Sequence, residues 1–164
     1  MLSDRKVVGA GFQLIIRSGS VTAAVQKAVK TGLKQIGEEY LKQVKKNISL
    51  EDHTLQELRQ MGHPYRVGGP VNMLHGDDAI LHKQSGDLLK SIKLQPVEQT
   101  TSRKWTVYIT SDDPMIEGIL YGTPTMRPRP FHQKSYNDIK HKYWNPLLAE
   151  LKKVNVRVAG WTST

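Results

Sequence analysis

Cysteine is absent from the chain, which excludes disulfides, thiolate metal sites and cysteine nucleophiles together and fits a reducing cytoplasm. Bulky aromatics are scarce. Two Phe and three Trp in 164 residues leave a modest core, so burial completed by neighbouring copies is expected. No apolar run approaches the roughly 20 residues needed to cross a bilayer, and Met1 to Lys6 lacks a signal-peptide apolar region, so the expectation is a cytosolic protein with no membrane contact. Acidic residues are the minority: 15 Asp and Glu face 24 Lys and Arg, a formal charge of +9. That balance draws the chain towards nucleic acid or acidic protein surfaces, or serves as a solvated basic face, and composition does not choose among them. No internal repeat, low-complexity tract or sharp shift in composition divides the sequence, which reads as one domain over residues 1–164.

What is present is a succession of periodic segments. Gly11 to Arg17 is rich in β-branched and aromatic residues and closes on Ser18-Gly19-Ser20, the signature of a strand and turn. From Ser20 to Ile48, residues Val21, Val25, Val29, Leu33, Ile36, Tyr40, Val44 and Ile48 recur every three or four positions, the spacing of one face of a long helix. Ser20 is placed to cap it, and Lys42, Lys45 and Lys46 suit the negative end of its dipole. Gly32 and Gly37 weaken it by about 1 kcal/mol each relative to Ala, unless a close crossing requires them. Residues 49–84 lose this period and gather Pro64, Gly68, Gly69, Pro70 and Gly76, which reads as a long loop or arm ordered on a neighbouring subunit, with a short helix over Leu55 to Met61.

Past the arm, Ser85-Gly86-Asp87 opens a helical turn over Leu88 to Ser91. Ile92, Leu94 and Val97 continue as an extended segment, Glu98 to Arg103 is a polar link, and Trp105 to Thr110 alternates cleanly; together these make a β-hairpin. A short apolar piece then ends at Tyr121-Gly122. Pro130 is suited to a helix start, and the stripe Tyr136, Ile139, Tyr143, Leu147, Leu151 and Val154 runs through Pro146, which predicts one helix bent there. Val154 to Val158 alternates as a short strand would. The fold class that follows is α+β: a long N-terminal helix and a bent C-terminal helix packed on a small antiparallel β-sheet, with a long extended arm.

Residues capable of chemistry are present without the spacing that chemistry needs. His53, His63, His75 and His82 lie in the arm with Asp77 and Asp78, but intervals of 10, 12 and 7 residues do not present two ligands together. Asp112 and Asp113, like Glu38 and Glu39, are adjacent and so do not face one another across a substrate. Gly68-Gly69 lacks the pattern of a phosphate loop, and no Gly-x-Ser-x-Gly elbow occurs. The expectation is a protein that is not an enzyme, with no catalytic residue, cofactor or metal site. Lysines 27, 30, 34, 42, 45 and 46 line the long helix, and Arg127, Arg129, Lys134, Lys140 and Lys142 lie near the second. Tyr136 and Tyr143 fall on the apolar stripe, where core packing explains them better than base stacking.

The segment Tyr121 to Phe131 is the most distinctive. Pro124, Pro128 and Pro130 hold φ near roughly −65° and lack donors, so the stretch forms a stiff connector rather than a central strand. Tyr121, Gly122, Met126, Arg127, Pro128, Arg129, Pro130 and Phe131 make a candidate subunit interface, with Met126 and Phe131 as apolar knobs and Arg127 and Arg129 as donors. A crossover packed only on its own domain is the alternative, and the residues leave both open.

At these positions the sequence resembles the "putative tail-component" family of tailed-bacteriophage neck and tail-completion proteins. Ser85-Gly86-Asp87-Leu88-Leu89-Lys90-Ser91-Ile92 resembles the first motif of that family, and Tyr121-Gly122-Thr123 followed by Met126-Arg127-Pro128-Arg129-Pro130-Phe131 resembles the second. The likeness covers residues 85–150. It departs at Ile116 to Leu120, where members often carry an acidic residue just before the aromatic-glycine pair, and in the long arm. The resemblance implies a virion protein of the head-tail joining, tail-completion or tail-terminator kind, assembled in the host bacterial cytoplasm. Its implied partners are its own copies in a cyclic homo-oligomer, connector or adaptor and tail tube proteins, and DNA passing through the lumen without sequence specificity. The competing expectation is a basic nucleic-acid-binding module.

Overall fold

A computed structural model describes residues 6–7, 12–17, 20–49, 60, 86–124 and 128–156. The elements given by those residues follow in order: β1 (Lys6–Val7), β2 (Phe12–Ile15), α1 (Ala23–Asn47), α2 (Asp87–Ser91), β3 (Lys93–Leu94), β4 (Glu98–Thr101), β5 (Lys104–Val107), β6 (Ile109–Ser111), α3 (Ile116–Tyr121), α4 (Phe131–Ile139) and α5 (Asn145–Lys153). The class is α+β, with the long N-terminal helix in place. The predicted arm lies outside the described residues except for Ser49 and residue 60.

Helix α1 forms because apolar residues at spacings of three and four line one stripe. Val29, Leu33 and Ile36 are fully buried on it, and Tyr40 and Val44 nearly so. Burial of each such aliphatic side chain is worth about 1.5–3 kcal/mol. The cap is Thr22 rather than Ser20: its Oγ1 accepts from the Val25 N–H at 3.3 Å, and its extended backbone (ψ 165°) ends the helical geometry. The two glycines answer to packing. A Cβ on Gly32 would lie 2.6 Å from the Leu147 Cα, and one on Gly37 would lie 2.6 Å from Leu94 Cδ1. The two positions are about 140° apart around the helix. One lets α5 approach and the other lets the sheet approach, so α1 lies between the C-terminal helices and the strands.

The strands form two antiparallel three-stranded sheets, ordered β1-β6-β3 and β2-β5-β4. The predicted hairpin exists and passes from one sheet into the other. Between β5 and β6, the Tyr108 carbonyl still accepts from the Gln95 N–H at 2.9 Å. The predicted polar link is shorter than expected. Glu98–Thr101 is a strand, with Glu98 opposite Thr106 and Gln99 opposite Trp105, and only Ser102 and Arg103 remain as the turn. All four residues of β4 are exposed, so no hydrophobic alternation marked them.

At the C-terminal end, the expected bend falls in residues 140–144, N-terminal to Pro146. It divides the helix into the nine-residue segments α4 and α5. Pro146 occupies the first turn of α5, where its missing N–H removes no helical bond. Val154 and Asn155 do not begin a strand. They close α5: Asn155 adopts a left-handed φ of 57°, its N–H donates to the Lys152 carbonyl, and the Val156 N–H donates to the Leu151 carbonyl.

Two clusters weld these helices to the rest. The Phe12 ring centroid lies 5.3 Å from those of both Tyr40 and Tyr143, and Tyr136 and Trp144 flank Tyr143 at 5.6 and 4.7 Å. Beside them, the Asn47 amide donates to Ser135 Oγ (2.9 Å) and to Asp138 Oδ2 (3.0 Å), which also accepts from Gln43 Nε2 (2.9 Å). The last turn of α1 is thereby tied to α4.

Candidate interaction surface

Helix α3 leads into the distinctive segment, which begins at its last residue, Tyr121. Ile116 and Leu120 are buried four residues apart and seat it on the core. Its ends are apolar and exposed: Met115 retains 57% of its surface and Tyr121 74%. The Asp113 carboxylate accepts from the Met115 N–H at 2.8 Å, which sets the entry to the helix. Gly122 ends it at φ 81°, a conformation glycine adopts without strain, with its N–H on the Gly118 carbonyl at 2.9 Å. The predicted Tyr-Gly turn is therefore a helix terminus that holds the tyrosine ring out in solvent.

The proline segment then turns back onto α3. The Arg129 N–H donates to the Ile119 carbonyl at 2.7 Å, and the Phe131 N–H donates to the Arg129 carbonyl at 2.8 Å across Pro130 (φ −77°, ψ 58°), a tight inverse γ-turn. This geometry corrects part of the expected interface. Phe131 is completely buried in its own subunit and Arg129 retains only 1% of its surface, so neither is a knob or a donor offered to an adjacent copy. Phe131 starts α4 and joins the core under it. Pro128 and Pro130 remain exposed beside Tyr121 in sequence, and Met126 and Arg127 lie outside the described residues. Of the eight expected contact residues, the described surface retains Tyr121, Gly122, Pro128 and Pro130.

Met115, and Ile15 at 50% exposure on strand β2, are exposed apolar residues that pattern analysis missed. Ile15 shares the outward face of β2 with Gln13 while Phe12 and Leu14 face inward, and four residues give too short a window to separate an outward-facing isoleucine from a buried one. Met115 follows the turn signal Asp113-Pro114, outside any periodic segment.

Burial raises the Tyr40 hydroxyl well above the usual phenol range; that hydroxyl donates to the His132 carbonyl at 3.0 Å. Tyr143 is pushed up to about 12, first by burial and then by its hydrogen bond to Tyr136. His132 goes the other way, lowered by burial, and its buried Nδ1 has no hydrogen-bond partner among the described residues. An open depression of about 320 Å³ lies between α2 and the end of β6, lined by Asp87, Lys90, Ser91, Lys93, Asp112, Asp113 and Pro114. Its hydroxyl is already engaged: Ser91 Oγ bonds Ser111 Oγ at 2.6 Å and the Leu88 carbonyl at 2.8 Å, which ties α2 to β6. Lys93 pairs with Asp112 at 3.1 Å. Among the described residues no three His, Asp or Glu side chains converge on a common point for a metal ion, and none of the helices is long and apolar enough to cross a membrane. The arm histidines, His53, His63, His75 and His82, lie outside the described residues.

Comparison with protein-family models, with curated proteins and with solved structures returned no match for this chain.

Proposed function

We propose that the chain is a structural virion subunit that closes into a ring at the neck of a tailed bacteriophage, joining the capsid connector to the tail while DNA passes through. The observation that carries the reading is the solvent-held Tyr121 at the end of α3, with Met115 at its other end. Large apolar side chains fixed outward on a short, core-anchored helix suit a contact with another chain, because aromatic anchors of this kind dominate interface energetics. They lie within the stretch where the sequence resembles the neck and tail-completion family. The order of elements also fits that resemblance: a short helix after Gly86-Asp87, a hairpin, the Tyr-Gly terminus, then a helix opened by Pro130-Phe131. A heterologous contact repeated around an axis closes into a ring.

Tyr121→Ser combined with Met115→Ser is the informative perturbation, since both residues are exposed and the fold does not depend on them. Light scattering across a concentration series should give a mass several times the 18.5 kDa protomer for the wild type and a shift towards the protomer for the variant. Phe131→Ala is unsuitable because it opens the core. A monomer at every concentration, or an oligomer indifferent to both substitutions, counts against the proposal.

A further inference from the structure

Helix α1 turns Lys27, Lys30, Lys34, Lys42 and Lys46 out to solvent, with Lys45 half-buried beside them, and opposes them on the same helix only with Glu38 and Glu39. Lys34 pairs with Glu38 at 3.7 Å; the other five lysines have no carboxylate partner among the described residues. Lys27, Lys30 and Lys34 fall within about 60° of one another around the axis, and Lys45 continues the same line, which Glu38 interrupts beside Lys34. The opposite face of α1 is buried from Val25 to Val44, so the row is held on a rigid rod rather than on a loop.

We infer that this face of α1 binds the phosphate backbone of duplex nucleic acid without reading its sequence. The 25 residues of the helix extend about 37 Å, and a duplex presents a phosphate charge about every 1.7 Å of its axis, so lysines spread along that length on one side meet several phosphates at once. Single strands fit the face less well. Stacking needs an exposed ring, and the helix's one aromatic residue, Tyr40, is 2% exposed. An acidic protein fits less well too, because the exposed apolar anchors Ile15, Met115 and Tyr121 all lie on other elements. The basic residues of α1 are lysines throughout, point charges without the planar fork that grips a carboxylate. The inference rests on the exposed face of one helix and does not require ring closure.

Fluorescence anisotropy of a short labelled DNA duplex, titrated with the intact protein at several salt concentrations, tests it. Lys27→Gln, Lys30→Gln and Lys34→Gln together should flatten the plot of log affinity against log salt by about 0.9 per lost phosphate contact, or about 2.7 for all three. Lys140→Gln, Lys142→Gln and Lys152→Gln remove the same charge from exposed positions elsewhere and should leave the slope near the wild-type value. Glutamine matches lysine in helix propensity, and far-ultraviolet circular dichroism confirms that both variants fold. Equal flattening in the two variants, an unchanged slope in the first, or no binding by the wild type at low salt overturns the inference. Light scattering of the stripe variant separates the two questions: its mass should match the wild type, so loss of DNA affinity leaves the ring proposal standing.

Discussion

Replacing Gly32 with alanine sets two effects of opposite sign against each other. In an isolated helix the change stabilises by about 1 kcal/mol, because alanine loses less conformational freedom than glycine. In this fold the new methyl would sit 2.6 Å from the Leu147 Cα and 2.8 Å from its Cδ1. Carbon atoms in contact prefer about 3.5–4.0 Å, so α5 must retreat by roughly 1 Å. Backbone cannot rotate away as a side chain can, and overpacking of this kind typically costs about 1–3 kcal/mol. Since Leu147 is fully buried on the far side of the contact, the upper half of that range applies, and a net loss of about 1–2 kcal/mol is expected. Gly37→Ala is the internal comparison. Its methyl would meet Leu94 Cδ1 at 2.6 Å, the end of a half-buried side chain that can move, so the same propensity gain should offset most of the cost. Urea unfolding followed by circular dichroism reads both, and a lower midpoint with unchanged slope for Gly32→Ala alone is the expected pattern. A Gly32→Ala protein as stable as the wild type would refute the claim that α1 and α5 touch through backbone.

Three further outcomes follow from particular contacts. Asn47→Ala should lower unfolding stability by about 1–3 kcal/mol, because the buried amide's bonds to Ser135 and Asp138 are lost, leaving the buried Ser135 with only its bond to the Phe131 carbonyl while Asp138 keeps Gln43; chemical denaturation measures it. Asn155→Ala should cost about 1–2 kcal/mol, because alanine keeps the β-carbon but lacks the short polar side chain that lets asparagine tolerate the left-handed region at φ 57°, whereas Asn155→Gly removes the β-carbon and should not; thermal melts of the two check it. His132 sets a pH dependence. Burial lowers its folded value below 6.5, so the unfolded chain binds the proton more readily; its contribution is complete above pH 6.5 and declines as pH falls through that value towards the folded one. Wild-type stability relative to His132→Gln should therefore drop between neutral and mildly acidic pH, and a parallel pair of stability curves would exclude His132 as the source.

Helix α1 was legible in the residue pattern, because a stripe repeated at every three or four positions over 25 residues leaves one face to bury. The pattern also marked the presence of the hairpin, through the alternation of Trp105, Val107 and Ile109, all buried. It marked Tyr121 to Phe131 as a stiff segment, since proline restricts the backbone whatever surrounds it. Which residues of that segment face outward depended on how the packed chain places them: Phe131 and Arg129 go in and Tyr121 stays out. Local pattern carries no record of what lies opposite a side chain, and inward or outward depends on where α3 and the core fall in space. For the same reason β4 was invisible as a strand. Its four exposed residues pair with β5 through backbone groups that every residue possesses, and backbone hydrogen bonding leaves no trace in side-chain chemistry.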